Sequence, residues 1–262
     1  MRALSIGATG MAAQETNVNV ISNNIANMNT IGYKRQQAEF QDLLYQDMER
    51  AGAQSSGTGT VVPTGIQIGA GVETGSVYRI NEQGALTQTG NQLDMAINGE
   101  GYFQVLLPSG DTAYTRAGNF SVNQDGQLVT AQGYTVQPAI SIPQGVTAVT
   151  VSPTGQVQVT QDGVITPAVV GQIELATFVN PAGLEATGDN LFTATASSGA
   201  AVVADPGSVG VGQLKQFYTE ASNVDAVTEI TNLISAQRAY EMNSKVITTA
   251  DQMLSTTSQL KS

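Results

Sequence analysis

Residues 223–259, NVDAVTEITNLISAQRAYEMNSKVITTADQMLSTTSQ, decide the fold because nothing in this stretch stops a helix. No proline or glycine occurs from 213 to 262, and these are the residues that break helices. Ser222 and Asp225 predict a capping box at the start. Apolar or small side chains recur along the stretch at Leu233, Ala236, Tyr240, Ile247, Ala250, Leu254 and Thr257. Ile230 and Ile234 broaden the apolar face at the start of the stretch. A helix over 223–259 would be about 55 Å long, a length that favours a coiled coil or another long packing partner.

The beginning of the chain carries a second helical pattern. Seven-residue spacing favours a packed seam over a single globular face. The sequence therefore predicts a helix over 4–28, and Asn29 to Gly32 reads as its stop because Gly32 accepts a left-handed conformation. The spaced residues are Leu4, Met11, Val18 and Ile25, with Gly7, Gln14, Ile21 and Met28 three positions after each.

The middle of the chain has a different composition. All eight prolines lie between 51 and 210, where short apolar runs alternate with turn dipeptides. That pattern predicts β-strands, with tight hairpins at Asp125-Gly126 and Asp162-Gly163. Residues 51–65 are small and polar and are interpreted as a linker.

These patterns together predict an α+β fold. Long N- and C-terminal helices would pack as a coiled-coil-like pair, with a mostly antiparallel β domain inserted between them. The predicted boundaries are an N-terminal helical arm over 1–44, an extended stretch over 45–70, a β-rich domain over 71–210 and a C-terminal helical arm over 211–262.

Composition excludes several classes of function. The chain has no histidine and no cysteine. This composition excludes a Ser-His-Asp triad, a thiol nucleophile and an ordinary zinc site. We expect no catalytic, cofactor-binding or metal-binding residues, no cofactor and no small-molecule substrate. The net charge of −11 argues against nucleic acid as a partner, and the adjacent Lys34-Arg35 is interpreted as a helix end. The N-terminus lacks the long apolar region of a secretory signal peptide.

Polar side chains inside the arms have two interpretations. Asn23, Asn24 and Asn27 either cap a frayed helix end or set the register between packed helices. Arg238 and Tyr240 are either ordinary helix surface or anchors of an interface, where both residue types are enriched.

Motifs at both ends resemble the bacterial flagellar rod and hook family. The N-terminal ones are Gly7-Ala-Thr-Gly10-Met11-Ala-Ala-Gln14, Ser22-Asn-Asn-Ile-Ala-Asn27 and Asn29-Thr30-Ile-Gly32-Tyr33-Lys34. The C-terminal ones are Ala221-Ser222-Asn223-Val224 and Gln237-Arg238-Ala239-Tyr240-Glu241-Met242-Asn243-Ser-Lys245. Further likeness lies in Leu93–Gly99 with Gly101–Phe103, and in Gly118–Val122 with Asp125–Thr130, so the resemblance covers nearly the whole chain.

An extra stretch after the first helix resembles the family members that build the distal rod. It runs from Leu44-Tyr45-Gln46 to Pro63-Thr-Gly65-Ile-Gln-Ile-Gly69. Members of the proximal rod lack this stretch, and hook proteins are usually longer, although both stay open as alternatives.

The resemblance implies a mechanical role rather than an enzymatic one. Family members leave through the flagellar type III export apparatus without a cleaved signal peptide and polymerise helically into a hollow rod. The terminal helices form its inner tube and the β domain faces outward. Implied partners are further copies of the chain, proximal rod proteins, the hook protein, and the peptidoglycan-side and outer-membrane ring proteins, with the rod transmitting torque across the periplasm.

The resemblance also implies roles for particular residues. Burial between subunits would come from Leu4, Met11, Val18, Ile25, Tyr240, Ile247 and Leu254. Register would come from Asn23, Asn24, Asn27, Gln237, Arg238 and Asn243, and the interface set also includes Thr30, Gly32 and Tyr33. The stretch that stiffens the rod would include Tyr45, Gln46, Pro63 and Gly65.

The rival hypothesis is a secreted β-rich binding module or adhesin on a coiled-coil stalk. It shares the β centre and the heptads, but it explains neither the absent signal peptide nor the matching motifs at the two ends.

Overall fold

The computed structural model describes residues 2–49, 64–161 and 166–260, and they form two compact units. Unit 1 consists of 1–25, 36–78 and 225–262, and unit 2 of 26–35 and 79–224. Among the described residues no helix is long and apolar enough to cross a membrane. The elements are α1 (Arg2–Ala26), β1 (Gln36–Asp42), β2 (Tyr45–Glu49), β3 (Ile66–Gly69), β4 (Val72–Arg79), β5 (Leu86–Gln88), β6 (Met95–Asn98), β7 (Tyr102–Leu106), β8 (Thr112–Thr115), β9 (Ser121–Val122), β10 (Leu128–Val129), β11 (Thr135–Gln137), β12 (Val146–Val151), β13 (Gln156–Gln161), β14 (Ala168–Gln172), β15 (Leu175–Thr177), a 3-10 turn (Pro181–Gly183), β16 (Glu185–Gly188), β17 (Leu191–Thr193), β18 (Val202–Ala204), β19 (Gln213–Gln216), β20 (Tyr218–Glu220) and α2 (Ala226–Leu260).

Unit 1 contains both long helices. α1 has 25 residues and α2 has 35. Gly7 lies against Ile247, whereas Asn24 bonds to Glu229, so the helices run antiparallel. The terminal helices thus pack together, and an antiparallel β domain lies between them in the sequence, as the predicted α+β class requires.

The helix boundaries differ from the expected ones for local reasons. α2 begins at Ala226 because the Asp225 carboxylate accepts the Thr228 N–H at 2.7 Å. Ser222 instead accepts the Val224 N–H before the helix, so the predicted capping box is wrong. α1 ends at Ala26 and is followed by turns, in which Gly32 has the expected positive φ of 70°.

A two-stranded antiparallel ribbon completes unit 1. β1 pairs with β4 and β2 with β3. The Leu43 N–H donates to the Gly71 carbonyl at 2.9 Å, and the Ala70 N–H donates to the Leu44 carbonyl at 3.2 Å, so the two pairs continue into each other. The flanks of the extra stretch are therefore paired strands, while 50–63 lie outside the described residues.

Unit 2 is built from antiparallel strands. Its largest sheet has the order β16-β17-β8-β7-β11-β10-β9, and β15 joins it through β7 and also pairs with β18. A three-stranded sheet has the order β12-β13-β14, and two further pairs are β6 with β19 and β5 with β20. The expected turn at Asp125-Gly126 joins β9 to β10 with a Gly126 φ of 78°. The one at Asp162-Gly163 lies outside the described residues.

The core of unit 2 is aromatic and aliphatic. Phe103 is fully buried, and its ring meets Phe120 edge to face with centroids 5.0 Å apart. A second cluster stacks Tyr102 and Tyr114 on Phe178 in the same edge-to-face manner. Unit 2 therefore has a complete hydrophobic core of its own.

We expect Phe103→Ala to destabilise unit 2 by about 3–5 kcal/mol, because truncating a buried aromatic ring loses burial and leaves a cavity. Val169→Ala is the control, since this side chain is exposed on β14 and should change stability by less than about 0.5 kcal/mol. Chemical denaturation measures both, and equal effects would contradict this description of the core.

Candidate assembly interface

Two glycines let the terminal helices approach each other closely. A Cβ atom on Gly7 would lie 2.9 Å from Ile247 Cγ1, and one on Gly10 would lie 2.8 Å from Asn243 Nδ2. A larger side chain at either position would displace these atoms or separate the helices. Ile247 and Asn243 were predicted as interface residues. Gly7 was predicted as a heptad position and as part of a motif, and Gly10 only as part of that motif.

The buried side chain of Asn24 forms three hydrogen bonds inside unit 1. Its Nδ2 donates to Glu229 Oε2 at 3.2 Å and to the Gln36 carbonyl at 2.8 Å, while its Oδ1 accepts the Gln36 N–H at 2.9 Å. Sliding α1 along α2 would break these bonds, so the geometry favours register setting over capping for Asn24. Glu229 was missed because a carboxylate in the first turn of a helix reads as an ordinary surface residue.

The neighbouring asparagines behave differently. Asn23 is exposed on α1. Asn27 lies half-buried in the turn after α1, where its Oδ1 accepts the Thr30 hydroxyl at 3.1 Å and its carbonyl accepts the Thr30 N–H. The capping interpretation therefore suits Asn27.

The predicted heptad positions only partly coincide with the buried residues of α1. Leu4, Met11, Val18 and Ile25 are all half-buried in the single chain. Two positions of the second heptad set, Gly7 and Ile21, are buried. The buried positions are Gly7, Ala13, Val20, Ile21 and Asn24.

The segment after α1 belongs to unit 2. The Gly32 N–H donates to the Glu220 carbonyl at 2.8 Å, and a Cβ on Gly32 would lie 2.8 Å from the Ala117 nitrogen. Tyr33 is half-buried beside it. Lys34 is buried and paired with Glu220, so its interpretation as part of a helix end is wrong, because α1 has already ended eight residues earlier.

Most of α2 is exposed. Only Glu229, Ala236 and Ala250 of its 35 residues are buried. The predicted Gln237, Arg238, Tyr240 and Leu254 are all exposed. Large apolar side chains are also exposed along the helix, at Val227, Ile230, Ile234, Met242, Val246, Met253 and Leu260.

Three of these exposed side chains border a groove at one end of the helix pair. Met242, Val246 and Met253 follow helical spacing, and together with Ala3 of α1 they line a groove of about 440 Å³. The first of these side chains is 63% exposed in the single chain. The groove therefore presents an apolar surface that this chain does not cover.

The ribbon carries a second exposed apolar face. Gln46 pairs with Ile68 across the strands, so alternation puts Leu44, Ile66 and Ile68 on one side. Leu44 is 88% exposed and Ile66 is 52% exposed. A two-stranded ribbon is marginally stable alone, and the described residues leave Leu44 and Ile66 largely exposed.

The predicted stiffening residues lie in or beside this ribbon. Tyr45 and Gln46 are exposed in β2, Gly65 is half-buried before β3, and Pro63 lies outside the described residues. A hydrogen bond with the Asp42 carboxylate raises the pKa of the Tyr45 hydroxyl. Within residues 2–49, 64–161 and 166–260 no three acidic side chains cluster as metal ligands would.

Three family models match the chain in separate parts. Residues 4–34 match the flagella basal body rod protein model. Residues 96–159 match the D1 domain of the flagellar hook protein FlgE/F/G, and residues 215–260 match the C-terminal part of the flagellar basal body rod FlgEFG proteins.

Relatives match over the whole chain. The flagellar basal-body rod protein FlgG of Caulobacter vibrioides is 67% identical over 262 residues, which is 100% of both chains. The FlgG protein of Agrobacterium fabrum is 54% identical over 99% of both chains. The rod protein FlgF of Caulobacter vibrioides is 34% identical over 94% of this chain and 91% of its own.

We expect Asn24→Ala to destabilise unit 1 by about 1–3 kcal/mol, because it removes hydrogen bonds from buried groups. Thermal unfolding followed by circular dichroism at 222 nm measures the change, since both long helices belong to unit 1. The exposed neighbour Ser22→Ala is the control. Equal melting temperatures for the two variants would contradict a register role.

Proposed function

The chain belongs to the flagellar rod and hook protein family, and we propose that within it the chain is the subunit that builds the distal rod. It is a component of the flagellar basal-body rod. The proposed polymer is a helical, hollow and rigid shaft that carries torque across the periplasm from the proximal rod to the hook. The role is structural rather than enzymatic.

The exposure of α2 carries the proposal. A helix of 35 residues with three buried ones gains little tertiary support from its own chain. Its exposed apolar side chains lie on more than one side, so a single partner helix leaves part of them in water. Further copies of the same chain are the partner that supplies such a surface repeatedly.

The proposed contacts between copies use the predicted interface residues. Leu4, Met11, Val18 and Ile25 are half-buried and gain burial when a neighbour covers them. Arg238 and Tyr240 are exposed on α2 and suit an interface, where arginine and tyrosine are enriched. Asn23 and Gln237 present exposed amides that can set register between copies.

The extra stretch supports the distal position and a stiffening role. Its ribbon has an apolar face that the strands cannot shield alone. Packing that face on a neighbouring subunit adds a contact away from the helices and resists bending. Identity with FlgG proteins, at 67% and 54%, exceeds that with FlgF and agrees with this assignment.

The proposed partners follow from this position. They are proximal rod proteins, the hook protein, the peptidoglycan-side and outer-membrane ring proteins, and the type III export apparatus that passes the chain without a cleaved signal peptide. Between 51 and 210 the only basic residues are Arg79 and Arg116, and the latter is buried in an ion pair. The resulting acidic surface limits adhesion to the surrounding rings.

We expect the purified protein to form helical tubes at high concentration, and Met242→Ser with Val246→Ser to raise the concentration needed. Both side chains are exposed, so the variant keeps the fold of the single chain. Thr248→Ser on another side of α2 keeps its hydroxyl and is the control. Electron microscopy distinguishes the outcomes: stable monomers or small stalked oligomers of the wild type would instead support an adhesin-like module.

We expect deletion of 46–64 to give a more flexible filament, because it removes the ribbon contact and leaves the helices. A sharper test compares Ile68→Ser with Gln67→Ser, since alternation puts these neighbours on opposite faces of β3. Only Ile68→Ser should shorten the persistence length of the filament, which is measured from electron micrographs. A straight, rigid rod from the deletion variant would refute the stiffening role.

A further inference from the structure

Three charged side chains meet inside unit 2, where burying a charge is costly. Lys34 Nζ lies 2.5 Å from Glu220 Oε1, and Arg116 Nε lies 2.7 Å from Glu220 Oε2. All three residues are at most 5% exposed. Two cations therefore share a single buried carboxylate.

The charge cluster, defined as Lys34, Arg116 and Glu220, also forms hydrogen bonds with the backbone. Lys34 Nζ donates to the Glu82 carbonyl at 2.7 Å, and the Gly84 N–H donates to Glu220 Oε1 at 2.9 Å. The Arg116 guanidinium donates to the carbonyls of Gly99, Gly101 and Ile97. Each member is thus anchored to a different part of unit 2.

The charge cluster joins a short first passage of the chain through unit 2 to the end of the last strand of that unit. Lys34 lies in the entering segment, defined as 26–35, after which the chain returns to unit 1 until residue 78. Glu220 ends β20, shortly before the chain finally leaves unit 2 at 224. The Gly32 N–H donates to the Glu220 carbonyl, and the Arg35 N–H donates to Asn223 Oδ1 at 2.7 Å. The entering segment contains no strand. Besides these bonds, the Ile80 N–H donates to the Arg35 carbonyl at 2.8 Å and Asn190 Nδ2 donates to the Ile31 carbonyl at 3.1 Å.

The charges in and around this cluster depend on one another. Burial raises the pKa of Glu220, but Arg116 and then Lys34 outweigh it, so the net pKa is lowered. Burial and the nearby Arg116 lower the pKa of Lys34. The Tyr102 ring lies 5.9 Å from the Arg116 guanidinium, and burial raises the pKa of its hydroxyl. Farther charges near Tyr102 are Arg79 and Glu100.

We propose that Glu220 is the positioning residue of an acid-released latch that holds the entering segment, 26–35, on the end of β20. The ionised carboxylate ties Lys34, Arg116 and the Gly84 N–H to one point, and the main-chain carbonyl of the same residue accepts the Gly32 N–H. Protonation of Glu220 leaves two buried cations facing each other, so the entering segment detaches while the core around Phe103 stays folded. The latch concerns the single chain and does not depend on assembly into a rod.

Native-state hydrogen exchange on the full chain tests the latch, with Glu220→Gln as the first variant. At pH 7 we expect exchange at the Gly32 and Arg35 amides to rise on the order of a hundredfold, since removing one partner of a buried pair leaves uncompensated charge. Core amides of Phe103 and Val105 should keep their protection. Glu73→Gln, at an exposed carboxylate that also accepts a side-chain hydrogen bond, is the control and should change neither group.

A second variant separates the latch from simple loss of packing. Adding Lys34→Met to Glu220→Gln removes one uncompensated cation, so protection of the Arg35 amide should recover in part, while the carbonyl partners of Arg116 remain. Loss of protection spread evenly over unit 2, or no recovery in the double variant, would overturn the proposal.

The pH dependence gives an independent readout. The pKa of Glu220 is lowered on folding, so its contribution is present above the ordinary pKa of a glutamate and is lost as the pH falls through the lowered value. After correction for intrinsic exchange, the Gly32 and Arg35 amides of the wild type should therefore lose protection in acid before the core does. Glu220→Gln should show no such step, and an unchanged step in that variant would refute the latch.

Discussion

The close antiparallel contact between the two terminal helices is the constraint on which the architecture of unit 1 depends. Two positions on α1, Gly7 and Gly10, leave room for Ile247 and Asn243 of α2. Asn24 then fixes the register near the other end of α1 by bonding to Glu229 and to Gln36. This contact joins one helix from the beginning of the sequence to one from its end. The β domain is therefore inserted in the sequence between two halves of unit 1.

The two units differ in how completely each buries its own apolar surface. Unit 2 encloses aromatic and aliphatic clusters and satisfies its buried charges internally. Unit 1 leaves large apolar side chains of α2 and of the ribbon in water. The hydrophobic effect therefore favours association through unit 1, whereas unit 2 buries core clusters of its own. This division suits a subunit of a polymer, in which one part makes the repeated contacts and the other presents a surface.

Periodicity and composition were enough to predict the main elements. The absence of helix breakers from 213 onwards and the heptads near the start predict both helices, and prolines with glycines predict strands between them. One error came from a residue whose partner is distant in sequence, and another from the choice between two neighbouring caps. Lys34 reads as a helix end because a lysine beside an arginine is usually solvated, yet a carboxylate 186 residues away buries it. Ser222 reads as a cap, but Asp225 makes the bond because its carboxylate reaches the Thr228 N–H.

The sequence by itself determined that the chain has two helical ends and a β centre, since helix propensity and spacing are local properties of the chain. It also contained the motifs that identify the family. Only the tertiary structure decided which side of each helix is buried, because burial depends on the surface that packs against the helix. α1 buries Ala13, Val20 and Asn24 beside the heptad positions Gly7 and Ile21. The charge cluster around Glu220 was likewise decided by the fold, since burial brings Lys34, Arg116 and Glu220 together from three distant segments and makes each charge depend on the others.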